Sequence, residues 1–204
     1  MTFYNLQKKD LKTAGIVLAD AFIEDPIWEA FIQKTGGTRK IAPLMFETPA
    51  RFCLHYGKLF ATSPAMEGIA GTLPGHLSSM SFLRILRSGA IFPAMSIGMK
   101  AGKLMKQIFE GIEKDRKELN AGFDFNYLQV IGVRKTFQHQ GLGKKLLNDI
   151  VSEADLSGKH IYLETETLEN VAMYEKYGFK VLRQITLPVL NLPMWEMRRP
   201  PISV

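Results

Sequence analysis

The sequence contains a single cysteine, Cys53, and this scarcity excludes several classes of protein. One thiol cannot form an internal disulfide, and a cysteine-rich zinc module is excluded for the same reason. We expect Cys53 to be a small core residue in a protein of a reducing compartment, and we place the protein in the cytoplasm. His55, His76 and His160 show no metal-ligand spacing with carboxylates, so we predict no bound metal.

Long apolar runs are missing as well. The longest charge-free apolar stretch near the middle of the chain, Ser88–Met99, has 12 residues, and a helix of that length is too short to span a bilayer. The N-terminal segment MTFYNLQKKDLK has no apolar run behind its basic residues, so we do not expect a signal peptide. No internal repeat or low-complexity tract interrupts the chain.

The remaining composition is that of a globular protein. Of the 204 residues, 46% are hydrophobic and 23% are charged, so a sizeable core can be buried, and we treat residues 1–204 as a single domain. The net charge of +6 favours an anionic partner such as a phosphorylated cofactor. Because this charge is spread along the chain, we expect neither nucleic acid nor a membrane as a partner. The oligomeric state stays open between a monomer and a homodimer.

The C-terminal third alternates between strand and helix patterns. Strands are predicted where β-branched and aromatic residues cluster, and helices where apolar residues recur at helical spacing. The predicted elements are the strand Asn126–Val133, the helix Gly141–Ser157, the strand His160–Glu164, the helix Asn170–Tyr177, and the strands Phe179–Leu187 and Met194–Arg199. This order indicates an α/β domain.

The N-terminal half is predicted to be helical before two short strands. Its elements are a helix over 11–22, a short helix that contains Trp28 and ends at Gly36-Gly37, a helix over Lys40–Lys58, and the strands Leu59–Thr62 and Gly68–Leu73. Asp25-Pro26 separates the first two helices, since the residue before a proline avoids the helical region.

Residues 76–119 are rich in methionine and basic residues, and we predict two helices there, roughly 79–88 and 93–118. Three interpretations stay open. The segment is a solvated basic face over a methionine-rich packing face, a flexible wall of a substrate pocket, or a helix on a membrane surface.

Two glycines, Gly141 and Gly143, lie in the loop between the strand that ends at Val133 and the following helix. The first turn of a helix has four backbone N–H groups without an intrahelical partner, and the helix dipole adds partial positive charge there. A pyrophosphate fits such a site, and Lys144 and Lys145 add positive charge. The spacing matches neither a Walker loop nor the full dinucleotide fingerprint, and a tight turn alone would also explain the glycines.

Three segments of the C-terminal third, one of which is this loop, are considered together. They are Ile131-Gly132-Val133 at the strand end, Gln138-His139-Gln140-Gly141-Leu142-Gly143 in the loop, and Tyr174-Glu175-Lys176-Tyr177-Gly178-Phe179 after Asn170. Together they resemble the GNAT family of N-acetyltransferases. Other segments are similar to the branch that includes puromycin N-acetyltransferase: Ala21-Phe22-x-x-Asp25-Pro26, Gly71-Thr72-Leu73-Pro74-Gly75, Tyr162-Leu163-Glu164-Thr165 and Pro193-Met194-Trp195-Glu196-Met197.

The resemblance implies an α/β fold with a mixed, mostly antiparallel central sheet, a splayed strand pair and flanking helices. Residues 76–119 would be a helical insertion near the acceptor site. Acetyl-CoA would be the co-substrate and would lie between the splayed strands. The residues implied to contact it are Ile131, Val133, Gln138, His139, Gln140, Gly141, Leu142, Gly143, Lys144 and Asn170. His139 is expected to contribute its backbone, with its side chain facing solvent.

Acetyl transfer to an amine needs a base, because an alkylamine is mostly protonated at pH 7. Glu164 is the first candidate, but a structural carboxylate or a partner for the substrate's charge explains it equally well; Glu166 is a weaker candidate. The resemblance implies that Tyr174 lies near the thioester sulfur as the general acid. Packing of Tyr174 against the sheet is the alternative.

Trp28, Phe31 and Trp195 are candidates for the acceptor pocket, although each also fits an ordinary core position. The function that we expect is acetyl-CoA-dependent N-acetylation of a primary amine on a small molecule, by direct attack and without a covalent enzyme intermediate. A non-catalytic, sensory CoA-binding domain and a protein or peptide N-acetyltransferase are the alternatives.

Overall fold

A computed structural model describes residues 3–36 and 39–202. Its strands are β1 (Tyr4–Asn5), β2 (Lys58–Ala61), β3 (Gly68–Pro74), β4 (Phe125–Val133), β5 (His160–Thr165), β6 (Lys180–Thr186) and β7 (Pro193–Arg199). They form one sheet in the order β1-β2-β3-β4-β5-β7-β6. The central pair β4–β5 is parallel and the other neighbouring pairs are antiparallel, which confirms the expected mixed, mostly antiparallel sheet.

Eight α-helices accompany the sheet within the described residues. They are α1 (Leu11–Ala21), α2 (Pro26–Thr35), α3 (Ala42–Tyr56), α4 (Phe82–Arg87), α5 (Ile91–Ser96), α6 (Met99–Leu119), α7 (Leu142–Leu156) and α8 (Leu168–Glu175). Each predicted element of the C-terminal third is found, with its ends shifted by one or two residues. The short strand β1 was not predicted.

The sequence explains the ends of α2. The Asp25 side chain caps its first turn by accepting hydrogen bonds from the Ile27 and Trp28 backbone N–H groups, at 3.0 and 3.1 Å. Pro26 occupies the first helical position, where a missing N–H costs nothing. Gly36 ends the helix with a left-handed φ of 62°, while its predicted companion Gly37 lies outside the described residues.

The prediction of one continuous helix over 93–118 is wrong. Gly98 has a φ of 86° and separates α5 from α6, and a helix cannot continue through that conformation. The helix predicted over 79–88 is also shorter than expected, since α4 covers only Phe82–Arg87. Residues 76–119 therefore form three helices, of which the first two are short.

The buried side chains form a core on each face of the sheet and a third cluster under α6. Successive β5 residues divide between the faces: Tyr162 packs on the side of α1 and α3, whereas Ile161 and Leu163 pack on the side of α7 and α8. The third cluster joins α2, α6 and the segment between β6 and β7; its fully buried members include Ile27, Phe31, Ile108 and Leu187. None of the described helices is long and apolar enough to cross a bilayer.

Candidate active site

The parallel strands β4 and β5 pair along only part of their length. The pairs run from Phe125↔His160 to Tyr127↔Tyr162, after which β4 continues to Val133 and β5 to Thr165 without further pairing. We call the opening between residues 128–133 and 163–165 the wedge. It is the splayed strand pair that the resemblance implied, and it leaves one edge of β4 free to bind an extended ligand.

A β-bulge lies where the wedge begins. β4 residues Leu128 and Val130 face consecutive β3 residues, Thr72 and Gly71, so that Gln129 is the extra residue. A bulge bends the strand and strengthens its twist, which helps to direct β4 away from β5. Sequence analysis missed the bulge. The signal was present, because the polar Gln129 stands within the apolar run from Tyr127 to Val133.

The loop of residues 134–141, the glycine loop, turns the chain from β4 into α7. His139 and Gly141 both have a left-handed backbone, with φ of 61° and 77°. The Lys145 N–H is the first in α7 to bond within the helix, to the Gly141 carbonyl at 3.0 Å, so the N–H groups of residues 142–144 lack helical partners. These groups and the loop border a concave site of about 250 Å³.

The structure brings the predicted cofactor residues of the loop together at this concave site. Its lining includes Val133, Gln138, His139, Gly141, Leu142, Gly143 and Lys144. The Gln138 side-chain amide donates a hydrogen bond to the Val133 carbonyl at 3.1 Å, and this bond fixes the start of the loop on β4. A side chain at Gly141 would meet no atom within 4 Å, so space for a ligand remains at the backbone there.

Three predicted cofactor residues, Ile131, Gln140 and Asn170, are not among the residues that line the concave site. Ile131 lies on β4 beside the wedge, and Gln140 is exposed on the loop, where its amide donates to the Thr136 carbonyl at 3.4 Å. Asn170 lies in the first turn of α8, just beyond the end of β5, with its N–H bonded to the Thr167 hydroxyl at 3.2 Å. The free N–H groups, the lysine and the open backbone at Gly141 fit an anionic pyrophosphate.

Tyr174 is buried on α8, with 6% of its surface exposed, beside Val171, Phe179 and Trp195. Its ring centroid lies 5.3 Å from that of Phe179. Burial raises the pKa of the Tyr174 hydroxyl, and the charge of Glu166 raises it further. The hydroxyl therefore holds its proton at neutral pH, so Tyr174 is present there as a proton donor.

Glu164 is held in a buried ion pair that the sequence did not reveal. Its Oε1 atom accepts a hydrogen bond from Nε of Arg116 of α6 at 3.0 Å, and a terminal nitrogen of the same guanidinium lies 2.9 Å from it. Arg116 also donates to the Tyr127 hydroxyl at 3.0 Å and to the Ser78 carbonyl at 3.2 Å. Burial lowers the pKa of Arg116, but the nearby charge of Glu164 raises it, and the net result is a raised pKa. This geometry favours the structural interpretation of Glu164.

Glu166 lies just beyond the end of β5 and is half-buried, with its carboxyl close to that of Asp25. Burial raises the pKa of Glu166 well above its ordinary value, and the Asp25 carboxyl raises it further because two close carboxyls share one proton. Since Asp25 caps α2, this pair joins the loop before α2 to the end of β5. Glu166 is therefore the less constrained of the two candidate bases.

The three aromatic candidates for the acceptor pocket do not lie together. Trp28 is half-buried and lines a pocket of about 310 Å³ between α1, α2 and α3. Phe31 is fully buried in the cluster under α6, and Trp195 packs beside Tyr174 on the other face of the sheet. Phe31 and Trp195 are not among the residues that line this pocket.

The structure also shows the surroundings of Cys53 and of the possible metal-binding side chains. Cys53 is completely buried in the core beneath α3, as expected, and burial raises the pKa of its thiol. Over residues 3–36 and 39–202, no group of three or more histidine, cysteine or acidic side chains is placed to hold a metal ion.

A comparison with family models matches residues 102–181 to the acetyltransferase (GNAT) domain. The matched segment contains β4, the glycine loop, α7, β5 and α8, which together build the wedge and its surroundings.

Curated relatives and solved structures agree in part with this match. An uncharacterized N-acetyltransferase of Schizosaccharomyces pombe is 28% identical over 98% of this chain and 84% of its own length. A probable serine/threonine-protein kinase of Dictyostelium discoideum is 24% identical over 86% of this chain, but only over 20% of its own length. The structure of a histone acetyltransferase HPA2 and related acetyltransferase from Corynebacterium glutamicum aligns over 100% of this chain and 99% of its own, with a TM-score of 0.63 and 17% identity.

The solved structure supports the fold alone, because its sequence identity is low. The family model adds the segment that carries the wedge and the glycine loop, and the yeast relative extends the similarity over nearly the whole chain. Together these findings show that residues 102–181 match the GNAT acetyltransferase domain and that nearly the whole chain is similar to an N-acetyltransferase.

Proposed function

We propose that this protein transfers the acetyl group of acetyl-CoA to a primary amine of a small molecule. One observation carries the proposal: β4 and β5 stop pairing after Tyr127↔Tyr162, and the wedge beyond that point lies between the strand that leads into the glycine loop and the strand that leads into α8, which carries Tyr174. Acetyl-CoA supplies an acetyl group activated as a thioester. The chain supplies the groups that hold it and that move two protons.

The donor would be held mainly by the backbone. The N–H groups of residues 142–144 and the Lys144 side chain would bind the pyrophosphate, and the unpaired edge of β4 at Ile131 would bind the extended pantetheine arm. Asn170, at the start of α8, would contact the same arm.

Glu166 rather than Glu164 would remove the proton from the attacking amine. The raised pKa of Glu166 makes its ionised form a good proton acceptor, whereas the Arg116 hydrogen bond and ion pair hold the Glu164 carboxylate in place. As the nitrogen–carbon bond forms and the carbon–sulfur bond breaks, the Tyr174 hydroxyl would give its proton to the departing sulfur. No covalent bond to the enzyme is needed.

The helical insertion favours a small acceptor. Its longest helix, α6, packs with α2 and the segment between β6 and β7 through apolar side chains, among them Ile27, Leu104 and Leu190. A packed insertion near the acceptor site would leave less room for a polypeptide than an open groove. The motifs at 162–165 and 193–197 that are similar to the puromycin N-acetyltransferase branch support the same choice.

Thiol release measured with acetyl-CoA and a panel of small primary amines tests the proposal. We expect saturable release with at least one small amine, together with an acetylated product detected by its mass. Saturable CoA binding without turnover on any amine would instead indicate a non-catalytic domain. Turnover confined to peptides would indicate a protein acceptor.

A matched pair of variants tests the choice of base. We expect Glu166→Gln to lower kcat roughly 100-fold, and Glu164→Gln to affect the melting temperature more than kcat. The wild-type rate should increase with pH in the alkaline range as Glu166 loses its proton. The reverse ranking of the two variants, in proteins shown to be folded, would assign the base to Glu164.

A further inference from the structure

The segment between Glu67 and Glu110 contains no aspartate or glutamate. It contains five lysines and arginines, all within α4, α6 and the residues between them: Arg84, Arg87, Lys100, Lys103 and Lys106. In a chain with 26 basic and 20 acidic residues, this is a local excess of positive charge over a surface where no carboxylate of the segment can offset it.

The same segment exposes large apolar side chains. Six of them are between 50% and 94% exposed: Phe82, Leu83, Leu86, Phe92, Met95 and Met99. On α5 the division is clear, since Ala90 and Pro93 are buried while Phe92 and Met95 face outwards. Large apolar side chains that are grouped on a surface usually mark an interaction site. We call these six residues and the neighbouring cations the apolar–basic surface.

The cations of this surface are held to different degrees. Arg84 donates to the Ser79 and His76 carbonyls at 3.2 and 3.3 Å and is thereby tied to the protein. Arg87, Lys100 and Lys103 are not within ion-pair distance of any carboxylate in the described part of the chain. Their charges are therefore free to attract an external anion.

We propose that the apolar–basic surface binds the surface of a bilayer that contains anionic lipids. The exposed phenylalanine, leucine and methionine side chains would enter the boundary between headgroups and acyl chains, and the free cations would face the anionic headgroups. This combination distinguishes a bilayer from nucleic acid, because leucine and methionine gain little from a phosphate backbone. The inference reverses the expectation that no membrane is a partner, and it does not depend on the proposed acetyl transfer.

Sedimentation of the full chain with vesicles tests this proposal. We expect binding to phosphatidylcholine vesicles that contain phosphatidylserine, and at least tenfold weaker binding to phosphatidylcholine alone. Lys100→Gln combined with Lys103→Gln should weaken binding to the anionic vesicles by about 25-fold, since each cation near such a surface contributes about fivefold. The control, Lys176→Gln with Lys180→Gln, removes the same charge from the residue after α8 and from β6, and should change binding less than twofold.

A second pair of variants tests the apolar contribution. Phe92→Ser with Met95→Ser should weaken vesicle binding at least tenfold without lowering the melting temperature, because both side chains are exposed. Leu156→Ser with Leu168→Ser removes similarly exposed apolar side chains elsewhere and should leave binding unchanged.

Three results would overturn the proposal. The first is equal binding to vesicles with and without phosphatidylserine, or no binding to either kind of vesicle. The second is an apolar variant that binds vesicles as well as the wild type does. The third is a wild-type dimer in solution that the apolar variant converts to a monomer, which would assign the surface to a second copy of the chain.

Discussion

The two sides of the wedge are built from different kinds of atoms. On the donor side, the glycine loop and the first turn of α7 present backbone N–H groups, placed by the left-handed conformations of His139 and Gly141. On the acceptor side, side chains from distant segments meet, as in the pairs Arg116–Glu164 and Asp25–Glu166. The donor side therefore depends on local backbone geometry, and the acceptor side on tertiary packing.

This difference predicts how each side responds to mutation. A change on the donor side should alter cofactor binding with limited effect on the rest of the fold. A change on the acceptor side should alter stability or turnover, because its charges are buried and depend on one another. The four predictions below test this contrast, in order of decreasing effect.

The largest effect is expected for Arg116→Met. Removing the guanidinium leaves the Glu164 carboxylate buried without its partner, so the free energy of unfolding should decrease by about 3–5 kcal/mol. Denaturant unfolding measures this loss. Arg183→Met removes a more exposed arginine that pairs with Asp115 at 2.8 Å, and should cost much less, because solvent screens an exposed pair. Equal losses in the two variants would contradict the special role of the buried pair.

The Tyr174→Phe variant should show a large effect on turnover alone. We expect kcat to decrease roughly 100-fold, because a general acid is lost, while CoA affinity stays within about twofold of the wild type. Steady-state kinetics and calorimetric titration with CoA separate the two effects. Tyr177→Phe, which alters a half-buried tyrosine at the end of the same helix, is the control. Unchanged turnover in Tyr174→Phe would leave the tyrosine a packing role only.

Gly141→Val tests the donor side. No atom would obstruct the new side chain, but a β-branched residue strains the backbone at a φ of 77°, and the loop should lose its anion-binding shape. The CoA dissociation constant should increase about tenfold, a decrease in binding free energy of about 1.4 kcal/mol.

Gly158→Val is the matched control for that variant. Gly158 follows α7, has a φ of 65° and also borders open space, so the backbone strain should be similar and CoA binding unaffected. A similar loss of CoA affinity in both variants would mean that general instability, rather than the loop, is responsible.

The smallest effect concerns Glu196, which faces Glu164 across β5 and β7. Burial, followed by the charge of Asp115, raises the pKa of Glu196 to about 7. The folded protein therefore retains a proton that the unfolded chain loses, and stability should decrease as the pH increases from about 4.5 to 7.

Glu196→Gln should remove that pH dependence. The difference in unfolding free energy, variant minus wild type, should be about 1–2 kcal/mol larger at pH 8 than at pH 4.5. Urea unfolding at the two pH values measures the change. A parallel shift of both curves, with no change in their pH dependence, would exclude Glu196 as the titrating group.

The elements of the C-terminal third could be predicted because their causes are local. The apolar periodicity of α7, the glycines at its start and the capped turn of α8 all lie within short stretches of sequence. The division of residues 93–118 at Gly98 was harder to predict, because a glycine inside a helical pattern is often tolerated.

The sequence by itself determined the donor side: a strand, a glycine loop and a helix are adjacent in the chain, and their order is enough to predict an anion site. Only the tertiary structure decided the roles available to the two glutamates. Glu164 and Glu166 are equivalent in type and lie two residues apart, but Arg116 of α6 pairs with the first, and Asp25 before α2 meets the second. Burial and charge partners control the chemistry of a carboxylate, and here both come from segments that are distant in the sequence.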